Sequence, residues 1–216
     1  MPEYKLIYFQ LYGRAEPIRM MLTHAMADWE DFHVGEKTIP WPELKMKMPY
    51  PHQLPVLELA DGTQLTQSTA IARFVARKFG YYPEDALLAA RCDEFIDNTY
   101  NEDKVFAKVL KPLFAPEEAK EQAVKECFEE ALPEFMKRVE PFLKDEGFLF
   151  GDKPTMPDFF MASFYFSVMD NPRTKFGVED GQWAKFREAN PKLVAFAARF
   201  KAEMGDYIDK RFEANF

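Results

Sequence analysis

Lys5-Leu6-Ile7-Tyr8-Phe9-Gln10-Leu11-Tyr12-Gly13-Arg14-Ala15-Glu16-Pro17 decides how the rest of the chain is read. Leu6 and Tyr8 alternate with Ile7 and Phe9, all β-favouring residues, so the run begins as a short apolar strand. Gly13 breaks it, and Pro17 falls where the first turn of a helix tolerates a missing N–H. A phenol, Tyr8, therefore stands at the mouth of a strand beside a loop and a helix start. Taken alone, such a tyrosine reads first as a core aromatic with its hydroxyl satisfied. Its surroundings are what make it a site candidate.

Outward from this stretch, Ile18, Met21, Leu22 and Ala25 recur at helical spacing and predict a helix from about Glu16 to Ala27. Trp29 to Val34 alternates as a second strand. The proline-studded segment from Ile39 to His52 excludes a long helix but permits one or two short turns, and a loop this long in a small domain is usually functional. Leu54 to Leu59 and Thr63 to Thr66 are strands joined by Asp61-Gly62, a hairpin signal. Pro55 opens the first of them, where a cis X-Pro bond would expose backbone groups to a ligand. Gln67-Ser68-Thr69 starts a helix with Ile71, Phe74, Val75 and Phe79 on its apolar face, and Gly80 stops it. The order is β-α-β, loop, β-β-α.

Beyond residue 80 the pattern is helical throughout. This predicts an α/β domain at 1–80, a linker at 81–86 and an all-helical domain at 87–216. Leu88, Cys92, Phe95, Ile96 and Thr99 line a first helix that runs as far as Leu110, with Lys111-Pro112 ending it. Pro116 opens a second, whose stripe from Val124 to Val139 contains Pro133 and should kink there. Thr155-Met156-Pro157-Asp158 has the form of a capping box, and the apolar helix that follows reads as the buried centre of this half. Asn190-Pro191 opens a helix through Phe200, and Tyr207 to Phe212 adds a short one.

Composition removes several classes. Hydrophobic residues are 47% of the 216, with 22 Phe, which marks a globular chain. A net charge of −8 argues against a nucleic-acid binder. No apolar run approaches the ~20 residues that a membrane helix needs, and no secretory signal is visible. Cys92 and Cys127 sit at helix-periodic apolar positions and read as buried, inert thiols, which fits a reducing, cytoplasmic setting. His24, His33 and His52 lack metal-ligand spacing, so no metal site is expected.

The remaining polar residues suit an acidic peptide. The helix start at Gln67-Ser68 can take a carboxylate on free N–H groups. Backbone on either side of Pro55 can hold an extended peptide as an added strand would. Trp41 and Lys45, four apart on a short turn, can meet a second carboxylate.

Tyr8-Phe9-x-x-x-Gly13-Arg14-Ala15-Glu16, Trp41-Pro42-Glu43-Leu44-Lys45, Gln53-Leu54-Pro55 and Gln67-Ser68-x-x-Ile71 together resemble a cytosolic glutathione transferase of the tyrosine type, most similar to the sigma class. Phe150-Gly151-Asp152 and Thr155-x-x-Asp158-Phe159 resemble that family's C-terminal capping motif. The resemblance implies a thioredoxin-like domain that holds glutathione as co-substrate, an all-helical domain, a homodimer, and a small apolar electrophile bound between the domains. Tyr8 would donate its hydroxyl hydrogen to the glutathione sulfur, with Arg14 adding positive charge. Trp41, Lys45 and Gln53 would meet the glycyl carboxylate, Leu54 and Pro55 the cysteinyl backbone, and Gln67 and Ser68 the γ-glutamyl carboxylate. Asn101, with Asp97 one turn earlier, is the candidate contact from a neighbouring subunit, and Tyr50 is the candidate aromatic key between subunits. Tyr12 stands where the family usually carries arginine, which makes it a rival phenol to Tyr8. Phe9, Leu11, Tyr12, Gly13, Phe106, Phe164, Phe212 and Phe216 are candidates for the electrophile pocket. Two variants stay open: an isomerase like prostaglandin D synthase, and a structural protein like the S-crystallins.

Overall fold

The computed structural model describes residues 2–35, 37–100, 105–178 and 181–216, with the backbone alone at 105 and 106. Strand β1 (Tyr4–Phe9) runs parallel to β2 (Trp29–Val34), with Tyr8 opposite His33. It pairs antiparallel with β3 (Val56–Leu59), which pairs antiparallel with β4 (Gln64–Thr66). The sheet order is β2-β1-β3-β4. The hairpin closes at Gly62 with φ of 85°, and Thr63 N–H donates to Asp61 Oδ1 at 2.8 Å, an Asx turn.

The period of two in β1 sorts its side chains into two cores. Tyr4, Leu6 and Tyr8 join the large core with α1 (Glu16–His24), α3 (Ser68–Lys78) and the helical half. Ile7 joins Val34 and Val56 on the other face, under Leu44 and Met48 from the proline-rich segment. Leu6, Ile18, Leu22 and Leu57 are fully buried, each stabilising the fold by roughly 2 kcal/mol. The proline-rich segment forms one short helix, α2 (Trp41–Lys45), closed by a further turn in which Met48 N–H donates to Lys45 C=O.

Helix α1 stops at His24, three residues before the expected end. Ala27 N–H reaches back to Leu22 C=O while Met26 takes φ of 51°, the arrangement of a Schellman stop. Nothing in the local sequence announces it, because methionine stands where glycine is favoured.

The helical half comprises α4 (Ala86–Thr99), α5 (Val105–Phe114), α6 (Glu117–Glu126), α7 (Leu132–Val139), α8 (Met156–Phe164), α9 (Gln182–Ala189), α10 (Pro191–Met204) and α11 (Tyr207–Lys210). Asp85 caps α4 by accepting Leu88 N–H at 2.8 Å. The first helix, expected to run to Leu110, ends at Thr99, with Tyr100 N–H donating to Ile96 C=O. The stop expected at Lys111-Pro112 is wrong as well, because α5 continues through Pro112 to Phe114. Pro112 forfeits one bond near the last turn, and Ala115 N–H still donates to Lys111 C=O. The distortion expected at Pro133 is a π-helical turn over Cys127–Ala131, directly before that proline. A second one, Tyr165–Met169, extends α8.

All nine residues of α8 are buried, as its apolar circumference predicts. Its capping box forms. Asp158 accepts Leu149 N–H at 2.8 Å and both the N–H and the hydroxyl of Thr155 at 2.7 Å. Helix α9, anchored near its start by buried Trp183, lies in a stretch where the sequence pattern predicts no element. Cys92 and Cys127 are buried free thiols, pushed up to about 12 by burial. Among the described residues no helix is long and apolar enough to cross a membrane.

Candidate active site

Tyr8 ends the buried face of β1, and the chain then turns through Gly13. Tyr8 Oη accepts the N–H of Arg14 at 3.2 Å. With an N–H already filling one acceptor position, the phenol is left to donate its own hydrogen. Burial pushes the phenol above its ordinary range, while the Arg14 N–H and the charges of Arg14 and Arg19 pull it back. The group thus keeps its proton through neutral pH, as a donor must. Gly13, at φ of 43°, is what lets the loop come this close. A Cβ there would lie 2.8 Å from Tyr8 Oη and 2.6 Å from Leu11 Cδ1.

Two concavities meet beside this loop. The first, about 340 Å³, is a polar cleft lined by Arg14, Trp41, Lys45, Gln53, Leu54, Pro55, Gln67 and Ser68, with Phe9 and His52 in addition. The proline-rich loop brings Trp41 and Lys45 to it on α2. The Leu54–Pro55 peptide is cis, as is Tyr50–Pro51. Gln67, at φ of 70°, turns the chain into α3, whose first turn has no side-chain cap. Its leading N–H groups and the dipole's positive end therefore favour an anion.

The second concavity, about 320 Å³, is mostly apolar. Tyr8, Gly13 and Pro17 form one end of it. Leu110 and Phe114 of α5, Phe160 and Phe164 of α8, and Phe216 form its walls. Arg14 and Ser68 line both concavities, so the two share a boundary.

The sequence-based candidates sort accordingly. Arg14, Trp41, Lys45, Gln53, Leu54, Pro55, Gln67 and Ser68 come together in the cleft, and Tyr8 stands in the adjoining cavity. Asn101 lies outside the described residues, as does the side chain of Phe106. Asp97 is held by Arg73 at 3.6 Å. Of the pocket candidates, Gly13, Phe164 and Phe216 line the apolar cavity. Phe9, Leu11, Tyr12 and Phe212 do not. Phe9 packs edge-on to Trp41 and faces the polar cleft, because its place in the strand puts it on the opposite face from Tyr8. Leu11 lies against Gly13, with its carbonyl taken by Arg19 at 2.9 Å.

Tyr12 is turned to the C-terminal tail. Its hydroxyl donates to Phe212 C=O at 2.6 Å, its N–H donates to Phe216 C=O at 2.8 Å, and Arg211 lies 3.9 Å over its ring. The rival phenol is therefore a clamp on the tail. Phe212 is held between the rings of Tyr12 and His33.

Arg19 went unsuspected in the sequence, where it lies inside the apolar run Ile18 to Leu22 as an ordinary helical residue. It is buried, donating to Asp31 at 2.9 Å, to Leu11 C=O at 2.9 Å and to Phe9 and Tyr12 C=O at 3.3 Å. Its guanidinium passes 5.7 Å from the Tyr8 ring centre. Glu16, also buried, accepts from Arg19 at 3.4 Å and from Arg211 at 2.7 Å. This buried chain of charges fixes the loop that carries Tyr8, Gly13 and Arg14. Tyr100, Ser163 and Ser167 of the cavity were likewise missed.

Comparison with known proteins addresses the same regions. A family model described as the N-terminal domain of glutathione S-transferase matches residues 4–77, and one described as its C-terminal domain matches residues 103–210. Glutathione S-transferase 4 of Caenorhabditis elegans is 33% identical over 183 residues, covering 83% of this chain and 86% of its own. The hematopoietic prostaglandin D synthase of Gallus gallus is 32% identical over 213 residues, covering 98% of each chain. The solved sigma class transferase of Fasciola hepatica matches with a TM-score of 0.81 at 29% identity, covering all of this chain and 99% of its own. That structure bears out the likeness to the sigma class, and the two models and the near full-length relatives together make this chain a member of the glutathione S-transferase family.

Proposed function

We propose that this glutathione S-transferase binds glutathione along the polar cleft and presents the sulfur to the Tyr8 hydroxyl at the edge of the apolar cavity. In this reading residues 1–80 hold glutathione, 81–86 link, and 87–216 supply most of the electrophile pocket. The observation that carries it is the shared boundary at Arg14 and Ser68 between the cleft and the cavity. Lys45, Trp41 and Gln53 at one end, and the uncapped start of α3 at the other, match the two carboxylates of an extended tripeptide.

The magnitudes are consistent. A free thiol, with pKa near 8.5, is only roughly 3% thiolate at pH 7. Ionising most of it there requires about 2–3 kcal/mol, since one pKa unit is about 1.4 kcal/mol. A hydrogen bond from a neutral donor to an anion supplies about 1.5–3 kcal/mol. One phenolic O–H is sufficient in size, with the positive charge of Arg14 beside it. The thiol proton leaves to solvent. The thiolate lone pair then forms a C–S bond to the electrophilic carbon, and the leaving group departs with its bonding pair.

Tyr8→Phe tests this directly. Conjugation of a nitroaryl halide should fall roughly 30-fold at pH 7, the ratio of full to 3% ionisation. The apparent pKa of kcat/KM should move toward the free-thiol value while the KM for glutathione stays within about twofold. Unchanged turnover in this variant, with loss in Tyr12→Phe, would move the role to Tyr12.

The working unit is inferred to be a cytoplasmic homodimer. Tyr50 supports it: this ring is 86% exposed, beside His52 at the edge of the cleft. Sedimentation of the full chain should give a dimer, and Tyr50→Ala should shift it toward monomer. A wild-type monomer at micromolar concentration would remove this part of the reading.

A further inference from the structure

On the α8 wall of the cavity stand two hydroxyls for which the thiolate chemistry has no use. Ser163, near the end of α8, and Ser167, in the π-helical turn that follows, both line it and are 5% and 4% exposed. Arg211 Nη1 donates to Ser167 Oγ at 3.3 Å. A guanidinium has no acceptor, so Ser167 Oγ is the acceptor in this contact and its hydrogen is free for another partner. Among the described residues, Ser167 Oγ has no partner besides Arg211, and Ser163 Oγ has none. Both hydroxyls thus line the cavity with a hydrogen to offer, on a wall that is otherwise Phe160, Phe164 and Val168.

We propose that Ser163 and Ser167 read a hydrogen-bond acceptor on the second substrate. The preferred electrophile is an apolar molecule with a neutral acceptor, such as a ketone or nitro oxygen, on the part remote from the carbon attacked. This rests on the reading of the cavity as the electrophile pocket. The acceptor is neutral because the cations behind this wall are already matched. Arg211 is bound to Glu16, and Arg19 to Glu16 and Asp31. A carboxylate against Ser163 and Ser167 would find the Arg211 charge behind them already matched, and the cation that lines the cavity itself, Arg14, stands at the edge shared with the cleft. A volume of about 320 Å³ suits one ring with a short substituent.

The test uses the full chain with glutathione and two benzylic bromides, 4-acetylbenzyl and 4-isopropylbenzyl, which are nearly isosteric. In each the thiolate forms a C–S bond to the CH₂ carbon, and bromide leaves with the C–Br pair. Rates are divided by the uncatalysed rate with glutathione, to remove intrinsic reactivity. Wild type should favour the acetyl compound in kcat/KM by roughly tenfold, the scale of one or two hydrogen bonds to a buried hydroxyl. In Ser163→Ala/Ser167→Ala the ratio should fall toward one, and Ser167→Thr alone, which keeps a hydroxyl, should retain the preference. A wild-type ratio near one, or a double variant that slows both compounds equally, overturns the inference and leaves the transferase reading in place. Failure of wild type to conjugate either compound, together with no retention on immobilised glutathione, overturns both.

Discussion

The polar cleft and the apolar cavity are nearly equal in size, about 340 and 320 Å³, and opposite in construction. The cleft residues run from Phe9 to Ser68, on a strand end, loops, one short helix and a helix start. The cavity draws on the chain from Tyr8 to Phe216, and half of its lining comes from α5, α8 and the π-helical turn that extends α8. Local backbone geometry aims the cleft's polar groups one by one, which suits recognition of a single unchanging ligand. The cavity's faces are set by hydrophobic packing among helices, so its lining can vary without dismantling the fold. The two regions touch at Arg14, in the loop that follows Tyr8, and at Ser68, where α3 begins. Substitutions in that loop's support should therefore strike both regions, and substitutions away from it only one.

The largest effect is expected at Arg19. Its removal leaves buried Glu16 with one cation instead of two, takes the guanidinium from Asp31 and strips a donor from the carbonyls of Phe9, Leu11 and Tyr12. Breaking a buried ion pair by removing one partner costs about 3–5 kcal/mol. Arg19→Met should lower the denaturation midpoint accordingly. At temperatures where it stays folded, both glutathione affinity and turnover should fall. Arg19→Lys should not restore them, because one ammonium cannot span Asp31 and three carbonyls. Loss confined to the cleft or to the cavity would show that the loop is not shared in the way its contacts suggest.

Gly13→Ala should act more narrowly. The new methyl meets Leu11 Cδ1, which can swing aside, and Tyr8 Oη, which cannot without leaving the Arg14 N–H. The alanine also occupies φ of 43°, at about 1–2 kcal/mol for a residue with a Cβ. Turnover should fall about tenfold, one kcal/mol-scale displacement of the donor, with glutathione KM nearly constant. A change in KM alone would mean that the loop serves the cleft and not the sulfur.

The same contrast explains what the sequence made legible. Strand alternation, the Asp61-Gly62 turn and the Thr155–Asp158 box are read from neighbours within a few residues, and each formed as expected. The cleft was legible for the same reason, since its residues sit in short ordered motifs. The cavity was not. Phe9, Leu11, Tyr12 and Phe212 are candidates by family position or by being apolar near a chain end, yet the pleat of β1 turns Phe9 away and the tail takes Tyr12 and Phe212. Ser163 and Ser167 carry no sequence signal, because a small polar residue in a helix is usually bland. Arg19 did carry one: a lone cation among Ile18, Met20, Met21 and Leu22 has to be either exposed or paired. Apart from Glu16 on its own helix, its partners are Asp31 of β2 and the carbonyls of Phe9, Leu11 and Tyr12, which only the assembled fold brings round it.

The smallest effects should separate the two regions most cleanly. Lys45 projects into the cleft from α2 as an exposed charge, and an exposed ion pair contributes about 0.2–1 kcal/mol. Lys45→Ala should thus raise the KM for glutathione about threefold, more at low salt than at high, because the contact is screened. Phe114, 69% exposed, lines the cavity edge with its ring 5.4 Å from that of Phe216. Phe114→Ala removes apolar contact without opening the core, and should raise the KM for an apolar electrophile about threefold to fivefold. Neither variant should move the other substrate's KM, and the double variant should show the product of the two effects. Non-additivity beyond about twofold would mean that the bound tripeptide and the electrophile feel each other through more than the shared edge at Arg14 and Ser68.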